Sequence, residues 1–312
     1  MVLKDFYPLA TVNGLMSGKQ FFIDRYEKLG WTFHDAKPRQ AIRMNVTNEK
    51  GKNIPKRLKS NGVLLDKIPF LESGYWVRRS KVSVGATAEY LLGFYSIQEA
   101  AAQIPATLFS NPIGKLVLDA CAAPGGKTVQ LADLMADTGA IVALDIDKRR
   151  LTALSNHLER CHVSNTVVYN RDTRQASKLG LRFDGILLDV PCSGNFASDR
   201  DWFERRTLRD VERNAVIQRE ILAEAAKCLR DDGEIVYSTC SLEPEEDELN
   251  VDWALKNLNL RTEQADCLGE EGLTEVFGQQ LDPSIELCRR IWPGETQGFF
   301  VCKFTKRRKN ER

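Results

Sequence analysis

Two cysteines stand where apolar, β-rich runs give out. Cys192 follows ILLDVP and Cys240 follows EIVYST. If those runs are neighbouring strands of one sheet, both thiols sit over the same edge. The chemistry that placement suits is covalent catalysis, in which a thiolate splits one difficult step into two easier ones. The attacking species is the thiolate, so the local surroundings must favour ionisation. The competing reading is a buried structural thiol, the commonest fate of a cysteine, and a disulfide between the two is a third. Directly after Cys240 comes a run of acids, Glu243 to Glu248. It reads as a solvated helix start whose carboxylates suit the positive end of the helix dipole.

A third chemical stretch is Cys121-Ala122-Ala123-Pro124-Gly125-Gly126-Lys127-Thr128, after the strand-like KLVLDA. A glycine turn between a strand and a helix lets a cofactor approach the backbone closely. The ending GGKT imitates a phosphate-binding P-loop, but that motif needs glycine where Cys121 stands. The spaced glycines of the dinucleotide fingerprint are also missing. S-adenosylmethionine fits best. Asp145 ends the next strand, AIVALD, in place for ribose hydroxyls. Asp172 follows a third strand, TVVYN, in place for the adenine amino group. With Asp119 they make three acids at successive strand ends around one glycine loop.

The elements that must position these groups alternate from about residue 86. Strands KLVLDA, AIVALD, TVVYN, FDGILLDV, EIVYST and GFFVCKF are interleaved with helices TVQLADLM, LTALSNHLERC and VIQREILAEAAKCLR. This is the pattern of a doubly wound, mostly parallel α/β sheet, which binds ligands off the carboxyl ends of its strands. Upstream, residues 15–30 read as an amphipathic helix, AIRMNVT as a strand, and KNIPKRLKSNG as a short basic helix and turn. ATAEYLLGFYSIQEAAAQI has helical spacing. The expected division is a small α+β module over residues 1–85 and a Rossmann-like catalytic domain over residues 86–312.

The chain has 312 residues, 43% hydrophobic and 28% charged, as a folded globular protein does. No apolar leader opens it and no run is long enough to span a membrane, so a cytoplasmic location is expected. Eight cysteines without a C-x-x-C pair, and three histidines, give no support for a metal site. Net charge is +1, yet residues 1–85 hold 16 Lys and Arg against 7 Asp and Glu. That basic module, with Tyr75, Trp76, Arg78 and Arg79 clustered, reads as a contact surface for a polyanion, and the tail KFTKRRKNER adds a basic end.

Two thiols beside a methyl-donor loop match one reaction. Carbon 5 of cytosine is too weak a nucleophile to take a methyl group unaided; a thiolate adding at carbon 6 activates it. The combination of DACAAPGGKT, LLDVPCSG and YSTCSLEPEEDE resembles the Nop2/Sun (Fmu) family of RNA cytosine-5 methyltransferases, with IRMNVT, GFYSIQEAA and TQGFFVCKF resembling its flanking motifs. The resemblance covers roughly residues 15–305. It implies a Rossmann-like S-adenosylmethionine-dependent methyltransferase domain with an N-terminal RNA-binding module. Cys121 to Lys127 would bind the cofactor through the backbone, Asp145 its ribose and Asp172 its adenine. Asp189, with Lys127, would hold the target cytosine and stabilise the intermediate. Cys240 would attack and Cys192 would assist release; the residues alone do not rank the two. Arg43 and Asn45 resemble an RNA-facing strand. The family's Pro-His ahead of Gly-Phe-Phe is missing, since Pro293 to Gly298 has no histidine.

The resemblance is to compact archaeal tRNA enzymes, which implies a monomer acting on tRNA, with ribosomal RNA as the second substrate class. A non-catalytic RNA-binding assembly factor, or a methyltransferase for small molecules or proteins, are rivals on the same fold.

Overall fold

A computed structural model describes residues 16–47 and 53–307. The expected lack of a leader at the chain start, and the basic residues from Arg308 onward, lie outside the described residues.

The N-terminal elements are α1 (Lys19–Lys28), β1 (Ala41–Met44), α2 (Ile54–Ser60), β2 (Val63–Lys67), β3 (Gly74–Ser80), α3 (Ala88–Leu91) and β4 (Tyr95–Ile97). The four strands form an antiparallel sheet in the order β2-β3-β1-β4. ATAEYLLGFYSIQEAAAQI is therefore not one helix. Gly93 takes φ +73, and a Cβ there would collide with the Arg160 carbonyl. The chain turns at that point, and Tyr95–Ile97 pairs with β1. The small sheet thus takes its last strand from beyond residue 85. Conversely, α1 packs on the large unit, where the Phe22 ring meets Trp202 edge-on at 4.6 Å.

The placement of β1 corrects a second expectation. All four of its residues are buried. One face meets the apolar cluster of Ile42, Met44, Ile54 and Leu58, and the other faces the large unit. Arg43 is 2% exposed and donates to Gln98 Oε1 at 3.0 Å. Asn45 donates to the Gly93 carbonyl at 2.6 Å. Arg43 is turned inward and ties β1 to the large unit through Asp133 at 3.5 Å, whereas Asn45 holds the turn at Gly93 within the small unit and lines a cleft with Thr47 and Arg57. Trp76 is buried as well, under the Arg39 guanidinium at 5.1 Å, leaving Arg78 and Arg79 as the exposed members of their cluster.

The large unit follows: α4 (Ile104–Thr107), β5 (Leu116–Asp119), α5 (Gly126–Leu134), β6 (Ala140–Asp145), α6 (Lys148–Arg160), β7 (Thr166–Asn170), β8 (Phe183–Asp189), α7 (Trp202–Arg205), α8 (Leu208–Cys228), β9 (Leu229–Thr239), α9 (Glu248–Asn257), β10 (Leu260–Glu263), β11 (Glu270–Glu271), β12 (Glu275–Val276), β13 (Gln279–Gln280), β14 (Arg289–Ile291) and β15 (Phe299–Lys306). Its sheet runs β11-β14-β15-β9-β8-β5-β6-β7, with β10 also on β15. Strands β5 to β9 are parallel, and β15 is antiparallel to β9. Both faces are covered. On β9, Ile235 and Tyr237 enter one core with Leu222 and Val251, while Val236 enters the other with Leu131 and Met135. Two-sided burial is why these strands read as continuous apolar runs. Strand order reverses between β5 and β8, and that switch point is where such sheets bind ligands.

Candidate active site

The glycine loop leaves β5 at Asp119 and enters α5 at Gly126. Ala120 N–H donates to Leu187 O at 3.0 Å and Ala122 N–H to Leu144 O at 2.9 Å, which pins the loop to the strands on either side. Gly125 has φ +103, and a Cβ there would lie 2.9 Å from Leu154 Cδ1. Gly125→Ala is therefore expected to cost about 1–3 kcal/mol of stability and to weaken cofactor binding, checked by melting with and without S-adenosylmethionine.

The loop fits the expected cofactor. Asp119 is 1% exposed; its Oδ2 accepts from Thr128 Oγ1 at 2.7 Å, whereas Oδ1 has no partner. A buried carboxylate oxygen without a donor beside a glycine turn suits a cationic ligand. Asp145 accepts from the N–H groups of Ala123 at 3.2 Å and Asp147 at 2.9 Å. Asp172 is gripped by Arg174, with Nη2 to Oδ2 at 2.7 Å, and this holds its carboxyl below the usual range. Parallel pairing of β5, β6 and β7 brings all three acids to one sheet edge. Cys121 follows Asp119 by two residues, and burial pushes its thiol up, so it is an inert wall of the loop.

Burial pushes Asp119 up to about 7, with Asp189 and Asp145 adding to the shift against Thr128 and Lys127. Its proton is thus kept in the folded chain at pH values where the unfolded chain, near pKa 3.9, has lost it. Stability from this group is full at low pH and declines as pH rises from about 4 to about 7. The stability of Asp119→Asn relative to wild type should therefore rise by up to about 1.4 kcal/mol per pH unit across that window and level off above it. Urea midpoints measured from pH 4.5 to 8 check this.

Beyond the loop, Lys127 Nζ donates to Asp189 Oδ2 at 2.8 Å, and Ser238 Oγ donates to Asp189 Oδ1 at 2.9 Å. Cys192 and Cys240 follow β8 and β9, which pair with Asp189 opposite Ser238. Their sulfurs are 3.2 Å apart, well beyond a disulfide bond of about 2.05 Å, and both are free thiols. Contact with Cys240 and burial push the Cys192 thiol up. Two thiolates so close would repel strongly, so the pair carries at most one negative charge near neutrality.

The acid run is not solvated. Glu243, Glu246, Asp247 and Glu248 are 0% exposed and Glu245 is 6% exposed. Arg25 donates to Glu243 at 2.8 Å and to Glu245 at 2.6 Å. Arg290 donates to Glu248 Oε1 at 2.8 Å, to Asp247 Oδ2 at 3.2 Å and to the Leu242 carbonyl at 2.8 Å. Of these acids, Glu246 bonds Ser193 and Asp247 bonds Thr239, each next to a thiol in the chain. Also missed from the sequence was Asn195, whose Nδ2 donates to the Cys240 carbonyl at 2.6 Å and to Gly298 O at 3.1 Å. Its signal was proximity to PCSG alone. Among the described residues no group of three or more His, Cys, Asp or Glu is arranged to hold a metal ion, and no helix is long and apolar enough to cross a membrane.

Residues 107–305 match the family model described as 16S rRNA methyltransferase RsmB/F. The chain belongs to this family. Among RsmB/F relatives, a mouse 28S rRNA (cytosine-C(5))-methyltransferase is 36% identical over 276 residues, 85% of this chain and 35% of the relative. The ribosomal RNA small subunit methyltransferase F of Aeromonas salmonicida is 33% identical over 282 residues, 86% of this chain and 58% of the relative. The chain thus spans about a third to three-fifths of the length of these two. A Pyrococcus horikoshii crystal structure described as a methyltransferase homolog superposes with TM-score 0.82 at 33% identity, covering 93% of this chain and 95% of that one. The RsmB/F family is S-adenosylmethionine dependent, and its Rossmann-like fold is the one seen here.

Proposed function

We propose that the chain is an S-adenosylmethionine-dependent RNA cytosine-C5 methyltransferase working through a cysteine thiolate. The observation that carries this reading is the thiol pair, 3.2 Å apart, set beside Lys127–Asp189 and facing the glycine loop. When bound, the cofactor supplies an electrophilic methyl group. Cys121 to Lys127 would hold it, with Asp145 at the ribose and Asp172, shared with Arg174, at the adenine. Cys240 adds to carbon 6 of the cytosine, which makes carbon 5 electron-rich. Asp189 anchors the base and Lys127 offsets charge developing on it. In breakdown of the adduct a water molecule takes the carbon-5 proton, the carbon 6–sulfur bond breaks to return the Cys240 thiolate, and Cys192 assists by passing its proton to that departing sulfur. Asn195 and Ser238 fix the Cys240 backbone and the Asp189 carboxylate.

The target base must leave its stack to reach these thiols. A cleft of about 690 Å³ beside the Cys192 loop, lined by Lys19, Lys37 and Arg200 over a floor of Phe196 and Phe203, offers cations to the phosphates of flanking nucleotides. Exposed Lys56, Lys59, Arg79 and Lys81 would position phosphates. For the RNA species, the likeness to compact archaeal enzymes favours tRNA, acting as a monomer; the names of the mouse and Aeromonas relatives favour ribosomal RNA.

The test is transfer of label from S-adenosylmethionine to tRNA transcripts and to ribosomal RNA fragments, followed by digestion to nucleosides. 5-Methylcytosine from tRNA supports the full reading, and from ribosomal fragments alone replaces the substrate. RNA binding without transfer favours the assembly-factor reading.

A further inference from the structure

Each thiol is bracketed in the chain by hydrogen bonds that lead to one turn. Around Cys192, Glu246 accepts from Ser193 N–H at 2.9 Å and from Ser193 Oγ at 2.5 Å. Gln218 Nε2 donates both to the Pro191 carbonyl at 2.9 Å and to Glu246 Oε1 at 3.1 Å. The residues before and after Cys192 are thus tied to one carboxylate, directly or through Gln218. Around Cys240, Asp247 Oδ1 accepts from Thr239 Oγ1 at 2.6 Å, and Thr239 Oγ1 in turn accepts from Ser241 N–H at 3.1 Å. The residues before and after Cys240 are tied to the next carboxylate in the chain.

That turn is itself immobilised. Tyr237 OH donates to the Glu246 carbonyl at 2.6 Å, Arg290 holds Asp247, and every side chain in the set is buried. The donors around Glu246 are an N–H, a hydroxyl and an amide NH2. Oε1 takes the N–H and the amide and Oε2 the hydroxyl, so in a glutamine the Ser193 hydroxyl would have to turn round and accept from an NH2.

We infer that Glu246 and Asp247 are positioning residues, a two-pronged clamp in which one prong sets the loop of Cys192 and the other sets the loop of Cys240, so that the spacing of the thiols is fixed from behind. This rests on the proposed division of labour between the cysteines. It predicts different lesions from adjacent residues. Loosening the Glu246 prong should damage adduct breakdown, and loosening the Asp247 prong should damage adduct formation. A displacement near 1 Å at a reacting group costs about 10²-fold.

The experiment compares the wild-type chain with Glu246→Gln and Thr239→Val, using Cys192→Ala and Cys240→Ala as references. Ser193→Ala is the milder second variant of the first prong. With the RNA and labelled S-adenosylmethionine, protein–RNA adduct is read on denaturing gels and first-turnover methylation by rapid quench. In parallel, without RNA, phenylarsine oxide is titrated. It condenses with two neighbouring thiols to a dithioarsenite with loss of water, and so reports their spacing. Cys192→Ala gives the background from other cysteines, such as Cys288 and Cys302.

The expected result is about 10²-fold slower turnover in both clamp variants. Adduct should accumulate in Glu246→Gln as in Cys192→Ala, and adduct should form slowly in Thr239→Val. Arsenical affinity should fall at least tenfold in each. Wild-type arsenical binding in folded Glu246→Gln, or the same partition between formation and breakdown in both variants, overturns the clamp. Should Glu246→Gln fail to fold, Ser193→Ala decides by the same two readouts. If no RNA yields adduct with any form of the chain, the methyltransferase reading fails, and the arsenical titration still decides the clamp.

Discussion

Replacing Cys240 by alanine is expected to reduce methyl transfer by at least about 10³-fold, since removal of the nucleophile in other covalent enzymes costs up to about 10⁶-fold. The loss should appear in the first turnover, and no protein–RNA adduct should survive denaturation. Cys192→Ala should behave differently, with first-turnover methylation near wild type, poor turnover and accumulated adduct. The two substitutions are sterically similar and lie 3.2 Å apart at the sulfurs, so divergent phenotypes cannot come from lost packing. The order is the one the resemblance to the Nop2/Sun enzymes implies; the 3.2 Å contact between the sulfurs is shared and does not itself rank them. If Cys240→Ala still methylates while Cys192→Ala does not, the roles are reversed. Free thiols titrated on the native chain, with and without reductant, check that no disulfide confounds the comparison.

The second large effect is on stability. Arg290→Met should destabilise the chain by about 3–5 kcal/mol, because it leaves Asp247 and Glu248 buried without their cation. The loss of a donor to the Leu242 carbonyl adds to it. Methionine roughly keeps the volume, so little of this is cavity. The cost should be smaller at pH 5 than at pH 8, because an unpaired buried carboxylate is tolerated better once protonated. Urea unfolding at both pH values measures it. A cost below about 1 kcal/mol at pH 8, the range of surface pairs, would mean that the cluster is solvated after all.

The contrast between what could and could not be read in advance follows from the range of the interactions. Strands β5 to β9 were legible because burial on both faces forces continuous apolar runs. The glycine loop and the two thiols were legible because each depends on residues next to one another. The acid run was misread for the opposite reason. Glu243 to Glu248 has the composition of a solvated helix start, and its burial depends on Arg25, 218 positions before Glu243, and on Arg290, 42 positions after Glu248. Nothing local announces those partners. Arg43 was misplaced similarly, since its strand is covered on its second face by a unit formed later in the chain. The helix expected over residues 86–104 failed at Gly93, whose backbone passes against Arg160, a contact that only the folded chain creates.

The pairing of β8 with β9, Asp189 opposite Ser238, has a consequence for how such a chain tolerates change. Slipping one strand by a single residue would carry its thiol about 3.3 Å along the sheet and turn every side chain of that strand to the opposite face. Insertions or deletions inside either strand should therefore abolish activity even where the fold survives. Added residues at the other end of the sheet, in the exposed turn near Asn111 to Gly114, leave that register untouched. A graft of this chemistry onto another sheet must carry both strands and the turn beneath them as one cassette, because neither cysteine has an address of its own.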